Sequence, residues 1–585
     1  MRAPSNHATK PGLKKGIVCV ICMLFAFCVS WYFHDTFWWG PDDGLFAYIA
    51  QRILEGDVVH RDIQALHPGL LFLINSALLG ITDGDVVSLR YPLVMLTLIQ
   101  TWLAYQLTLS KGLVSAICAS LCMIAFSFVQ FINPTPNWYL ITITLALGAF
   151  LTISDMQSNR ALVLAGAIVG IAFLLRQLTG VFLAMAITTI LFLVYSNPAS
   201  SDRQHAGSSI LVILAVCYSV FIFQTAQIAG LLLFGIFPLA LLGIAAFKCN
   251  LGWSSVSRII TRLVAGALLT ALPLIIYHLS TGSLGGFIEE TFIRPFTFFD
   301  VPMVEQASYL ALIYYPIEDI LAGNLSSIFT LIFWFTLLII NLVLSIVVLR
   351  NLTLAPSKPV VLGILVIFHS LVALIYEIPI YLFYSTGLIF VALLTFNLNS
   401  IIRRLLVAVT TATSIFALAF HASQPLDRTY KNIALSKRVA WNTHILPTTT
   451  IKTNRQTSEF YEQILMSVES CALPSDTLYA FPYNPELYFL TRRRSAFKFI
   501  NSIFGITQST DLSNYIEAVK ASDQPGLILH NTTDIHNTPN SDSLFAALAH
   551  LYVKRGQVDN LTVYQRKGHK MSDRCQISFL EFGEK

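Results

Sequence analysis

The sequence predicts a polytopic α-helical membrane protein with about thirteen transmembrane helices, followed by a soluble α/β domain. Composition is the first reason: 55% of the 585 residues are hydrophobic and only 12% charged, where a soluble chain would be about a quarter charged. The second is length, because the apolar residues run in stretches of roughly 18–25, enough to cross about 30 Å of hydrocarbon. The third is the loss of that pattern from His421 onward.

A polar start with Lys10, Lys14 and Lys15 leads into a span near 16–33. Further spans are expected near 87–109, 112–132, 137–154, 160–176, 178–196, 208–224, 226–247, 261–280, 324–349, 359–376, 380–400 and 402–420. The segment 67–81 is apolar but short and opens on Pro68-Gly69, which predicts a helix lying in the membrane interface. No small-residue cleavage site follows the first span, so it is expected to stay as an anchor.

Charge orients the chain. Lys111, Arg160, Arg203, Lys248, Arg258, Arg262, Arg350, Lys358, Arg403 and Arg404 fall on alternate loops, on the side of the basic N-terminus. That side is expected to be cytoplasmic, because positive loops are retained there. The first long loop (34–86), the loop 281–322 and the region 421–585 then share the outer face. A membrane domain over 1–420 and a soluble outer domain over 421–585 are the expected units.

Within the outer domain, "DTLYAFPYNPELYFLTRRR" and "QPGLILHN" contain short apolar strands, and "DLSNYIEAVKAS" reads as a helix. "HLYVKRG" and "LTVYQRK" are spaced to pair as a hairpin across Gln557–Asn560. The cysteines lie mostly in apolar runs, as small hydrophobes do. Cys471 and Cys575 alone fall in the polar tail, where one disulfide is open to them.

The first outer loop concentrates the chemistry. "WWGPDDGLFAYIAQRILEGDVVHRDIQALHPG" holds Asp42, Asp43, Glu55, Asp57 and Asp62 close to the bilayer. Pro41-Asp42-Asp43 is a good helix start. Leu45, Phe46, Ile49, Ile53 and Leu54 follow near helical spacing, and Gly56 ends the run. The helix is expected on the membrane surface, with both aspartates at its N-terminal mouth, where the macrodipole favours an ionised carboxylate. Such a group suits a general base. The alternative is that Asp42 merely caps the helix.

The loop resembles the first periplasmic loop of the GT-C glycosyltransferases. Asp42-Asp43-Gly44, an aromatic two residues on, "ILEGD" and then "RDIQALHPG" before an apolar helix carry the likeness. "YAFPYNPELYFLTRR" is similar to the opening strand and helix of their soluble tails. The subgroup of aminoarabinose transferases and protein O-mannosyltransferases is the most similar. The resemblance implies a polyprenyl-phosphate sugar as donor and a glycolipid, polysaccharide or protein as acceptor. It gives Asp42 the catalytic role and Asp43 the neighbouring one. The chain departs from the pattern in its second acid, Asp in place of the commoner Glu. It also has Leu66-His67-Pro68 where the aminoarabinose branch has Glu-Lys-Pro, so Asp62 and His67 are expected to serve in that place.

The departing phosphate needs a cation. Arg176, at an outer helix end, is an intramembrane charge and thus a functional candidate, with snorkelling to the interface as the plainer alternative. Arg294 and the Arg492–Arg494 triplet are weaker candidates. Glu377 and Tyr381, where two outer helix ends meet, are expected near donor or acceptor. His278 and His369 are expected to bond to backbone within the bundle. HExxH, a phosphate loop and a dinucleotide fingerprint are absent from the sequence, and no basic run exceeds the arginine triplet, so no nucleic-acid partner is expected. No cofactor is expected to be required, while the superfamily leaves a divalent metal open. The rival class is a transporter, flippase or polymerase for lipid-linked saccharides. A bacterial plasma membrane is the expected location.

Overall fold

The computed structural model describes residues 11–196, 204–297, 308–375, 377–422, 432–434, 443–506, 509–531 and 539–569. Lys10, Arg203 and Cys575 lie outside these. Eleven helices among the described residues are long and apolar enough to cross a membrane. A helix stands at each predicted span, but Asn159–Leu175 and Pro379–Thr395 run only 17 residues and fall just below that length. The count of about thirteen therefore stands at eleven by length and composition. Pro379–Thr395 is buried at every position but Tyr381, which explains why it is apolar all round.

Two boundaries differ from the expected ones. The helix expected near 261 begins at Trp253, because its first turns are polar: Arg258 donates to Asn159 Oδ1 (2.9 Å) and the Gln157 carbonyl (3.0 Å). The segment 281–322 is not plain loop either. It holds Leu284–Ile288, which continues into a π turn over Glu289–Ile293, and the amphipathic helix Ala311–Leu321.

The loops sort to two ends. At one, the Tyr105 hydroxyl reaches the Lys15 carbonyl (2.7 Å), Lys248 the Leu352 carbonyl (2.6 Å) and Arg403 the Lys111 carbonyl (3.2 Å). These are loops expected on the basic side. At the other end gather the first outer loop, the segment 281–297 and the C-terminal region.

That C-terminal region forms a four-stranded sheet in the order Leu478–Phe481, Leu527–Asn531, Leu561–Arg566, Tyr552–Val558. The first pair is parallel and the others antiparallel. The expected hairpin is present, with Val558 opposite Leu561 across a two-residue turn whose Asp559 sits at φ 51°. The expected strand-then-helix is present too, as Leu478–Phe481 and Pro485–Thr491. The sequence reading missed the helix Arg455–Cys471. Cys471, at its end, is disulfide-bonded, while Cys19 and Cys22, spaced as CxxC on the first helix, are free.

The region after 421 is folded onto the first outer loop. Lys452 pairs with Asp35 (2.7 Å), Arg494 with Glu55 (3.0 Å), and the Ser495 N–H donates to the Tyr48 hydroxyl (2.6 Å). One continuous hydrophobic core includes Ile49 and Phe72 together with Ile464, Leu487 and Tyr488. Packing thus ignores the sequence boundary at 420. The helix Gly40–Leu54 packs between Leu70–Ile81 and Pro485–Thr491. Gly44 makes this possible. A Cβ there would overlap the Glu486 backbone, so the two helices touch main chain to main chain.

Candidate active site

The helix Gly40–Leu54 starts as expected, with Asp42 and Asp43 in its first turn. The cap is Trp39, whose side chain makes no capping bond, so Asp42 is not the N-cap. Asp43 instead reaches back: its Oδ2 accepts the Trp39 N–H at 3.1 Å and so gives the cap residue's donor a partner. Asp43 is wholly buried and pairs with the equally buried Arg90 at 3.0 Å. Burial pushes its carboxyl up from the ordinary value, against the pull of that guanidinium. Arg90 also donates to the carbonyls of His34 (3.2 Å), Thr36 (3.0 Å) and Phe37 (2.9 Å). One guanidinium therefore fixes both the segment entering the helix and the helix itself. Asp43, expected beside the chemistry, is thus placed in an anchoring position.

Asp42 points elsewhere. It is partly exposed, and its Oδ2 accepts from Asn133 Nδ2 at 2.9 Å. Asn133 opens the segment Asn133-Pro134-Thr135-Pro136-Asn137 between two spans, which the sequence reading passed over. Its two prolines hold the backbone extended before a helix that begins at Pro136. Asn137 Nδ2 contacts Thr135 Oγ1 (3.3 Å), and its Oδ1 accepts from Arg176 Nη1. Asp42, Asn137 and Arg176 all interact with Tyr384. The segment thus carries a polar path from the carboxylate to the cation.

Arg176 is the single residue separating the helices Asn159–Leu175 and Gln177–Tyr195. It is 9% exposed, and its guanidinium lies 5.8 Å from the Tyr381 ring centroid. Snorkelling is therefore replaced by an inward position. Arg176, His67 and Gln177 form the polar part of a cavity of about 450 Å³ whose other walls include Phe182, Met185 and Tyr218. Val181, Phe292 and Phe296 also line it and are exposed. His67 is held neutral: burial, helped by the Arg176 charge, pushes its imidazolium down to about 3.

The other candidates are placed apart from this path. Asp62 accepts from the Val58 N–H (2.8 Å) and pairs with Arg61 (2.9 Å), which holds its carboxyl below the usual range. It closes a turn. Arg294 pairs with Glu289 (3.0 Å) and Asp511 (3.4 Å) and covers the Phe499 ring, tying the second outer loop to the C-terminal sheet. Glu377 is fully buried and accepts the N–H of Gly230 (2.6 Å) and Tyr309 (2.9 Å). Tyr381 alone of these borders the Arg176 group. His369 bonds to the Thr144 hydroxyl (2.8 Å) and the Tyr384 carbonyl (3.2 Å), and His278 to the Ser283 hydroxyl (2.7 Å).

Glu290, unremarked in sequence, is buried and pairs with His60 (2.7 Å) and Lys498 (2.7 Å). It locks the first outer loop, the second and the C-terminal region together. Among the described residues, no three His, Cys, Asp or Glu side chains gather as a metal site would require.

Residues 66–223 match the family of dolichyl-phosphate-mannose-protein mannosyltransferases. That stretch begins where the resembling first loop ends, so it supports the resemblance from a largely separate part of the chain. No curated protein matches the sequence. Among solved structures, the Archaeoglobus fulgidus oligosaccharyltransferase, crystallised with zinc and sulfate, is similar at 12% identity and a TM-score of 0.42, over 87% of this chain and 68% of its own. ArnT from Cupriavidus metallidurans bound to undecaprenyl phosphate is similar at 12% identity and 0.38, over 94% and 97%. Its apo form gives 13% and 0.36, over 94% and 98%. At that distance no residue role passes from them to this chain.

Removing Asp43 separates anchoring from chemistry. Asp43→Ala strands the Arg90 charge in the core, which is expected to cost about 3–5 kcal/mol. Thermal unfolding in detergent should show a large loss, with the milder Asp43→Asn in between. An Asp43→Ala protein of undiminished stability would return Asp43 to the chemistry.

Proposed function

We propose that the protein transfers a sugar from a polyprenyl-phosphate carrier to a hydroxyl of a glycolipid, polysaccharide or protein, with inversion at the anomeric carbon and Asp42 as general base. One observation carries this reading. One short segment holds both groups: its Asn133 bonds a partly exposed carboxylate, Asp42, and its Asn137 bonds Arg176, a cation at the polar end of an apolar cavity.

The parts suit a direct displacement. Asp42 accepts the acceptor hydroxyl's proton as that oxygen bonds to the anomeric carbon. The bond from that carbon to the phosphate oxygen breaks, and its electron pair leaves with the phosphate. Arg176 stands where it can meet that growing negative charge, and a guanidinium fork suits phosphate geometry. Neutral His67 adds a hydrogen-bond partner without a competing charge. The apolar walls fit a polyprenyl tail, and their exposed members suit entry from the bilayer. Such a leaving group asks for no nucleotide. Whether the sugar is a hexose or a pentose is set by contacts other than these.

The orientation follows the charge rule: the Lys15, Lys111 and Arg403 end is cytoplasmic, and the active end with the C-terminal sheet lies outside. A bacterial plasma membrane with a periplasmic active face fits this arrangement. The rival, a transporter for the same lipid-linked sugar, would keep its substrate intact.

Asn has nearly the size of Asp and can still receive the Asn133 hydrogen bond through its amide oxygen. Asp42→Asn should therefore fold normally but lose about 10²–10⁴-fold in turnover, the typical cost of losing a general base. Release of polyprenyl phosphate from a purified donor checks this. Wild-type release by Asp42→Asn sinks the assignment, and absence of any release from active membranes favours the transporter. Arg176→Ala should weaken donor use far more than Arg176→Lys does. Equal donor dependence in the two would leave Arg176 as a packing residue.

Topology has its own check. Cysteines placed at Asp83 and Lys554, on a background lacking the native thiols, should react with an impermeant reagent added outside. Cysteines at Asp155 and Arg350 should react only after permeabilisation. The reverse pattern overturns the orientation.

A further inference from the structure

The far end of the helix that carries Asp42 borders a second cavity that the proposed reaction does not use. It holds about 330 Å³ between that helix and the C-terminal region, and Tyr48, Arg52, Glu55, Arg492, Arg493 and Arg494 form most of its working surface. Its charges divide into two sets. Arg52 is neutralised by Asp57, bonded also to the Tyr48 hydroxyl (2.7 Å), and Arg494 is paired with Glu55 (3.0 Å). Asp476, also in the wall, is met by His569 (3.0 Å). Among the described residues, Arg492 and Arg493 have no carboxylate facing them.

Arg493 is half-buried and Arg492 exposed, and both line the cavity. Arg493 uses one terminal nitrogen on the Ala472 carbonyl (3.4 Å), yet its buried Nε has no partner. A buried guanidinium N–H without an acceptor is costly. Arg492 sits at φ 52°, the left-handed position after the helix Pro485–Thr491. Glycine or asparagine takes that conformation more cheaply, so the backbone gives no reason for arginine there. The cavity walls are polar, which disfavours a lipid tail.

From this we infer that the cavity binds an anionic substituent, a phosphate carried on the acceptor saccharide. Guanidinium groups pair with phosphate through two parallel hydrogen bonds. The helix fixes the geometry: from Asp42 to Arg52 is ten residues, so the anion is held on the order of 15 Å from the base. That is more than one sugar ring away, which makes the acceptor an extended, charged glycan rather than a single sugar. The assignment of the ligand as acceptor rests on the transferase reading, but binding itself does not require Asp42 to be a base.

Equilibrium binding to the full-length protein in detergent tests the inference. The probes are a phosphorylated trisaccharide, the same trisaccharide without phosphate, and inorganic phosphate. The wild type and Asp42→Asn should both bind the phosphorylated probe about ten- to a hundredfold more tightly than the bare one. The double variant Arg492→Gln/Arg493→Gln should lose that preference while still binding polyprenyl phosphate, which shows that it is folded. Arg492→Lys should keep part of it. Equal binding of the two trisaccharides, or an undiminished preference in the double variant, overturns the site. Inorganic phosphate that displaces the probe at matching concentration overturns the saccharide assignment, since the cavity would then hold the ion alone. Loss of turnover in Asp42→Asn with its binding intact leaves this inference standing on its own.

Discussion

The active end of this protein depends on one buried ion pair. Arg90, at the start of a spanning helix, has no contact with water, yet it meets Asp43 and three backbone carbonyls of the stretch 34–37 ahead of it. A charge in that position is tolerable only where its donors find acceptors, as both terminal nitrogens do here. The need to satisfy Arg90 therefore dictates where the chain turns after the first span and how the next helix is rotated. With Asp43 committed inward, its neighbour Asp42 is turned about 100° around the helix, toward Asn133. Two adjacent aspartates thus differ in burial and in partners because the helix gives them different surroundings.

A second constraint is electrostatic economy. Arg176, Asn137, Tyr381 and Tyr384 keep a cation inside the bundle by giving it an amide oxygen and an aromatic face rather than a carboxylate. A carboxylate partner would neutralise it. Amide and ring contacts stabilise the charge while leaving it able to attract an anion, and low surrounding polarity strengthens that attraction. The cation pocket at the other end of the Asp42 helix follows the same logic. There, the arginines with acidic partners build the wall, and those without them are left with unspent charge.

The sequence spoke most clearly where structure is local. Pro41-Asp42-Asp43 and Gly56 marked the two ends of a helix that is there, and Val558 and Leu561 marked a hairpin that is there. The one-sided basic loops predicted which loops lie together. Contacts between distant segments were harder to read. Glu377 is a site candidate by its place where two outer helix ends meet, and that position gives no sign of its partners, the backbone groups of Gly230 and Tyr309, far away in the chain. Arg294 likewise pairs with Asp511, which no short pattern announces. The Asn133–Asn137 segment did carry a signal: two asparagines and two prolines in five residues, between spans otherwise apolar. Counting polar amides as possible orienting groups, and not only charges, would have found it.

The apolar cavity has a consequence for kinetics. Val181, Phe292 and Phe296 line it and are exposed, so under the proposed reaction a carrier seated there would arrive within the plane of the lipid. Supply then depends on the mole fraction of carrier in the surrounding amphiphile, not on its amount per volume of water. Adding inert lipid or detergent would slow the reaction by surface dilution even with protein and carrier held constant, and a crowded membrane would speed it without any change in the enzyme.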